Sequence, residues 1–222
     1  MPLIQRIQEK ELTYGIWKVS ETIDELLSLF GNRSACYASQ LEQFHYEGRK
    51  LEWLAVRALL KDMMGEECEI GYTDSGKPYL KDSEWNVSIS HTKGYVTVAL
   101  SLTDTVGIDI EQYSNRVRKV SKRFIREDEV VSIEEARLQG PLFEERENEV
   151  YAMLLHWSAK ESIFKIMEQI DVDFLQNLHV YPFTLSQTGS FIGKEYGSPE
   201  RKEFRIYYIL HPDFVLTYAV VQ

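Results

Sequence analysis

The run Val106-Gly107-Ile108-Asp109-Ile110-Glu111 constrains this chain more than any other segment, because it alternates apolar and acidic residues. On an extended strand alternate side chains share a face. Ile108 and Ile110 are therefore expected to enter a core, with the Asp109 and Glu111 carboxylates together on the other side. Adjacent carboxylates repel unless a positive charge lies between them. A hard divalent cation bound through oxygen, such as Mg2+, meets that need. The plainer alternative is a half-buried strand with a solvated acidic face.

A helical pattern runs from about Glu149 to Met167 and contains Trp157-Ser158-Ala159-Lys160-Glu161-Ser162-Ile163-Phe164-Lys165. Trp157, Glu161 and Lys165 fall at i, i+4 and i+8, forming one stripe. Glu161 is thus a candidate third carboxylate and Lys165 a candidate contact for an anion that the metal also holds. An ordinary surface Glu–Lys pair is the competing reading. A third segment, Asn86 to His91, reads as a strand that turns at Thr92-Lys93-Gly94 and returns over Tyr95–Leu100. It presents Ser90 and His91 at its end. Asp74-Ser75-Gly76-Lys77-Pro78 is a turn with a cation at its tip. Arg49 opens a helix that Gly65 is placed to stop.

Gly-Lys-Pro, Ser-x-Ser-His, Gly-Ile-Asp-Ile-Glu and Trp-Ser-x-Lys-Glu-Ser, in this order, resemble the 4′-phosphopantetheinyl transferase superfamily. The length and tandem layout are similar to its surfactin-synthetase-activating (Sfp-type) branch. The motifs span about Arg49 to Lys165. The resemblance implies an α+β fold of two similar halves related by pseudo-two-fold symmetry, taken as residues 1–103 and 104–222, with a cofactor cleft between them. It implies transfer of 4′-phosphopantetheine from coenzyme A to a serine of an apo acyl or peptidyl carrier protein. Asp109, Glu111 and Glu161 would hold Mg2+. Lys165, Ser90 and His91 would meet phosphate oxygens, and Lys77 and Arg49 the adenosine end with its 3′-phosphate. If the helix is aligned one residue differently, Arg49 shifts against the family's phosphate-binding arginine and Arg57 becomes a packing neighbour. Glu161 is the first candidate for general base, directly or through water. Glu129, which follows Arg123-Phe124 as a family glutamate does, is the runner-up. Another Mg2+-dependent nucleotide pyrophosphate enzyme and a non-catalytic carrier-binding module are the alternatives.

Composition narrows the partners. The 222 residues carry a net charge of −10, which argues against nucleic acid. No apolar run is long enough to span a membrane. A signal-peptide core is absent from the first residues, and Cys36 and Cys68 lack metal-type spacing, so no disulfide framework and a cytoplasmic location are expected; the chain is expected to be a monomer. One stretch opposes the acidic balance: Arg116, Arg118, Lys119, Lys122, Arg123 and Arg126, with no acid between Ser114 and Arg126. It is either a solvated helix face or a dock for an acidic partner. The acidic stretch that follows contains Gly140-Pro141 and is expected to form a mobile loop.

The expected helices lie near Thr22–Phe30, Arg49–Met64, Val117–Ile125, Asp128–Leu138 and Glu149–Met167. The expected strands lie near Glu69–Tyr72, Asn86–Ser90, Tyr95–Ser101, Val106–Glu111, His179–Leu185, Ser190–Tyr196, Glu203–Leu210 and Val215–Val221. Strands in adjacent runs favour α+β with antiparallel pairing.

Overall fold

The computed structural model describes residues 3–9, 12–133, 138, 140–167 and 171–221. The chain divides into two compact units, Met1–Asp104 and Thr105–Gln222.

In the first unit, strands β1 (Leu3–Glu9) and β2 (Leu12–Lys18) pair antiparallel. The short helices α1 (Ile23–Ser28) and α2 (Ser34–Gln40) follow. Thr22 caps α1 in a reciprocal box: its backbone N–H donates to Glu25 at 2.8 Å, and its hydroxyl accepts from the Glu25 N–H at 3.3 Å. The long helix α3 (Glu47–Met64) ends at Gly65, whose φ of 79° is the left-handed cap that glycine adopts at least cost. Strands β3 (Ile70–Tyr72) and β4 (Pro78–Leu80) make a hairpin around the Lys77 turn. Strands β5 (Asn86–Thr92) and β6 (Tyr95–Ser101) complete an antiparallel sheet of order β1-β2-β6-β5. Leu54, Leu59 and Met63 of α3 share a core cluster with Trp17, Val96 and Val98 of this sheet.

The second unit opens with β7 (Thr105–Gln112), the acidic alternating strand. Where a helix was expected over Val117–Ile125, two short 3-10 turns form instead, Asn115–Lys119 and Ser121–Arg123. Arg116, Arg118, Lys119, Lys122 and Arg123 crowd the two turns, from which Val117 and Phe124 still reach the core. The expected helix Asp128–Leu138 is likewise absent over its described part: residues 128–133 hold a turn and β8 (Val131–Ser132), and residues 134–137 lie outside the described residues. Helix α4 (Asn148–Ile166) and the single turn α5 (Phe174–Asn177) precede β9 (Leu178–Val180), β10 (Phe183–Thr184), β11 (Thr188–Glu195), β12 (Glu203–Leu210) and β13 (Phe214–Val221). The main sheet has the order β7-β13-β12-β11-β9, and β8 pairs with β10 separately.

Helix α4 lies across β7 and β13 and is buried on nearly every side, from Val150 to Ile166. A helix enclosed this way must satisfy each polar side chain internally. Ser158 and Ser162 do so against β13: their hydroxyls sit 2.9 and 2.7 Å from the Thr217 hydroxyl, and Ser162 also donates to the Thr217 carbonyl at 3.1 Å. The approach to β7 is closer still. A Cβ on Gly107 would lie 2.0 Å from the Ser162 carbonyl oxygen, so no other residue fits there.

Candidate active site

Gly107, Asp109 and Glu111 share the β7 face that meets α4, while Ile108 and Ile110 lie on the other face and are fully buried. Both faces of the strand are therefore enclosed. The solvated acidic face that alternation suggests is replaced by a buried Asp109, only 3% exposed, and a partly buried Glu111.

The Trp157–Glu161–Lys165 stripe answers this strand. The Trp157 indole N–H donates to Glu111 Oε1 at 2.7 Å. Two turns on, Lys165 Nζ donates to Asp109 Oδ1 and to the Ile108 carbonyl, each at 2.8 Å. Lys165 thus bridges to the strand rather than forming the ordinary helix-surface pair with Glu161. Burial pushes the Glu111 carboxyl up to about 7, with the Asp109 charge adding to it and the Trp157 hydrogen bond opposing. Glu161 is also pushed up to about 7, by burial first and Asp109 second, with Lys165 opposing. Asp109, Glu111 and Glu161 thus act on one another electrostatically, with Lys165 the cation among them.

Three carboxylates acting on one another at close range, with Glu111 and Glu161 both pushed up, is the chemistry that a hard divalent cation relieves. As the side chains stand, no three His, Cys, Asp or Glu among the described residues converge on one point to hold a metal ion. Asp109 is turned to Lys165 instead.

Lys160 points away from the cluster and is completely buried. Its ammonium lies 2.8 Å from Glu129 Oε1, donates to the Phe174 carbonyl at 3.1 Å, and also bonds the Phe124 carbonyl. Glu129 further accepts the Val180 and Arg126 backbone N–H groups, both at 2.7 Å. With three donor groups on its two oxygens, Lys160 reaching both, and a side chain with no exposure, Glu129 is a structural anchor. That is a correction to its candidacy as a general base, because its lone pairs are already taken. Sequence reasoning passed over Lys160, since a Lys–Glu step is common in helices. The signal available was a cation in a helix otherwise too apolar to be exposed.

In the first unit His91 and Arg49 do come together. The Arg49 guanidinium donates to His91 Nε2, so the ring proton sits on Nδ1, which lies 3.2 Å from Glu52 Oε2. Arg49 also reaches Glu52 at 3.3 Å. Ser90 is the neighbour of His91 on the same strand. It is buried and, being next to His91 on β5, faces the opposite side of the sheet. The two side chains leave β5 on opposite faces. Lys77 sits partly buried in the β3–β4 turn, where its backbone N–H donates to the Thr73 hydroxyl at 3.1 Å. Among the described residues its ammonium group has no carboxylate partner.

A family model of the 4′-phosphopantetheinyl transferase superfamily matches residues 105–219. The chain belongs to that superfamily. The match covers the second unit almost end to end, including the β7 carboxylates and the whole of α4. Membership makes the chain a transferase of the phosphopantetheinyl class. No curated protein matches the chain. Among the described residues no helix is long and apolar enough to cross a membrane.

Two outcomes follow from the site. Breaking the buried pair on one side, as Lys160→Met or Glu129→Leu, leaves an uncompensated buried charge and is expected to cost about 3–5 kcal/mol in urea unfolding. The double variant is expected to recover most of that loss. Equal losses in singles and double would show that the pair is not coupled.

The second outcome concerns pH. Glu111 and Glu161 titrate near 7 when folded and near 4.5 when unfolded, so the folded state holds more protons in between. Stability is fully present below about 4.5 and is lost as pH rises through about 7. Without divalent ions, melting temperature should therefore fall across that window, and Glu111→Gln should flatten the slope. A slope of opposite sign, unaltered by the substitution, would contradict the burial of these carboxyls.

Proposed function

We propose that this transferase moves the 4′-phosphopantetheine group of coenzyme A to a serine hydroxyl of an apo acyl or peptidyl carrier protein. It does so with Mg2+, releases 3′,5′-ADP, and works as a two-half enzyme of the Sfp-type branch. The observation that carries this reading is the pairing of Trp157 with Glu111 and of Lys165 with Asp109, with Glu161 between them on α4, inside the span that matches the superfamily. Each unit also packs one long helix on an antiparallel sheet, which supports the tandem layout.

The three carboxylates would hold Mg2+, with Asp109 exchanging Lys165 for it. When bound, the ion neutralises charge on the pyrophosphate and on the leaving group. The protein's own groups do the rest. The serine oxygen attacks the phosphorus bearing the pantetheine arm, and the bond from that phosphorus to the ADP-side oxygen breaks. Glu161, with a carboxyl near neutrality, takes the serine proton. Lys165, freed from Asp109, steadies the phosphates. Trp157 holds Glu111 in place. Arg49, His91 and Lys77 would meet the adenosine end and its 3′-phosphate, and Ser90, on the other face of β5, a different oxygen of the ligand.

Incubating the chain with coenzyme A, Mg2+ and an apo carrier protein should add one phosphopantetheine to the carrier, read by intact mass. Hydrolysis of coenzyme A without carrier modification would make the chain a pyrophosphate hydrolase. Carrier binding with no chemistry would make it a docking module. Asp109→Ala, Glu111→Ala and Glu161→Ala should each abolish nearly all transfer, with strongly non-additive combinations. Activity within several-fold of wild type in Asp109→Ala or Glu111→Ala would remove the metal assignment.

The cationic stretch is the proposed dock. Arg118 is held by Glu147 and Glu149 at 2.7 and 2.8 Å, and Arg126 by Asp128 at 2.9 Å. Val117 and Phe124 are buried, so the exposed residues left to meet a carrier are Arg116, Lys119, Lys122 and Arg123, with Val120 among them. Reversing Lys119, Lys122 and Arg123 to Glu should raise the carrier KM, weaken its salt dependence, and leave coenzyme A binding unchanged. An unaltered carrier KM would make the stretch a solvated turn.

A further inference from the structure

Arg118 belongs to the cationic stretch, yet its charge is already engaged within the chain. The guanidinium is gripped on both terminal nitrogens: Nη2 donates to Glu147 Oε2 at 2.7 Å and Nη1 to Glu149 Oε2 at 2.8 Å. Both acids come from the start of α4, Glu147 immediately before its first residue and Glu149 within its first turn. The two sides of this contact are held in place. The Glu147 backbone N–H donates to the Tyr113 hydroxyl at 2.9 Å, and Val117, beside Arg118, is buried in the same core cluster as Val150. Arg146, next to Glu147 in sequence, is taken elsewhere: it lies 4.5 Å from the Tyr113 ring centre and donates to the Pro212 carbonyl at 2.9 Å.

This contact is suited to exchange rather than to strength. The Arg118 side chain is 34% exposed, and those of Glu147 and Glu149 are 56% and 57% exposed. Exposed ion pairs contribute little net stability, because water competes for both partners. A carboxylate from outside can therefore replace either glutamate at small cost. Once released, Glu147 and Glu149 stay beside the cationic stretch and repel an acidic partner. Glu144 and Glu145 are exposed as well, yet pair with no cation among the described residues. Contact with Arg118, and not charge alone, separates Glu147 and Glu149 from the general acidity of their segment.

We propose that Glu147 and Glu149 are an internal stand-in for the acidic partner: they occupy Arg118 in the free protein, and a partner carboxylate displaces them when it seats on the cationic stretch. The inference rests on the reading of that stretch as the carrier dock, and adds an autoinhibitory latch that raises the negative charge a partner must bring. A weakly acidic protein leaves the latch closed. A strongly acidic carrier opens it, because it meets Arg116, Lys119, Lys122 and Arg123 at the same time.

The test uses the full chain and calorimetry with an apo acyl carrier protein at low and high salt, with coenzyme A as a second ligand and melting curves on the free protein. Glu147→Gln together with Glu149→Gln should tighten the carrier about threefold, steepen its salt dependence and leave coenzyme A unchanged. Glu144→Gln together with Glu145→Gln alters the net charge equally without touching Arg118, and should change carrier affinity much less. Arg118→Gln should weaken the carrier more in the Glu147→Gln, Glu149→Gln background than in the wild type, since only there is the guanidinium free beforehand. Equal tightening by the two glutamate pairs would reduce the effect to bulk charge and overturn the latch. A lower melting temperature with no tightening would make Glu147 and Glu149 a clamp on the turn, which overturns it as well. If reversing Lys119, Lys122 and Arg123 weakens the carrier while Glu147→Gln with Glu149→Gln binds it like wild type, the dock stands and the latch fails. If neither set alters carrier affinity, or the wild-type chain binds no carrier, the dock reading itself has failed.

Discussion

The contact of α4 with β7, closed where Gly107 lies under the Ser162 carbonyl, is the constraint on which the second unit depends. A helix that close to a strand leaves no room for water between them. Its polar residues must then pair with the sheet or with one another. Ser158 and Ser162 take Thr217, Trp157 takes Glu111, and Lys165 takes Asp109. One steric fact thus fixes the register of every group at the site. It also drives two carboxyls toward neutrality, because desolvation is the largest cause acting on Glu111 and Glu161.

Buried charge is handled in two ways. Lys160 and Glu129 are enclosed and saturated with hydrogen bonds, so they tie α4 to the 124–129 segment, to the Phe174 carbonyl and to β9 without inviting a ligand. Glu111 and Glu161 are enclosed and left partly uncompensated. A saturated pair contributes rigidity, whereas an unbalanced group keeps electrostatic free energy available for a partner of opposite sign. Adjacent positions 160 and 161 of one helix turn divide these roles, because successive residues point about 100° apart.

Much of the fold was legible in the sequence. Tyr95–Ser101 and Glu203–Leu210 read as strands to the residue, and the two long helices differ from their expected starts by no more than two residues. Long periodic segments carry their own signal. The first two strands, Leu3–Glu9 and Leu12–Lys18, escaped sequence reading, since their pattern of apolar residues is mixed and gains meaning only when β6 pairs beside them. The helix expected over Val117–Ile125 gives way to two short 3-10 turns, although Val117 and Phe124 are buried as its apolar spacing suggests.

The sequence by itself determined which side chains share a face, the alternating carboxylates of β7 and the Trp–Glu–Lys stripe of α4, because period 2 and period 3.6 put them there. Tertiary structure alone decided how those faces are used. It set the acidic face of β7 against α4, enclosed Glu129 in a pair with Lys160, and placed Ser90 and His91 on opposite faces of β5. Periodicity states which residues share a side. Which side is dry, and which charge meets which, depends on elements more than forty residues apart in the chain, whose approach no local pattern records.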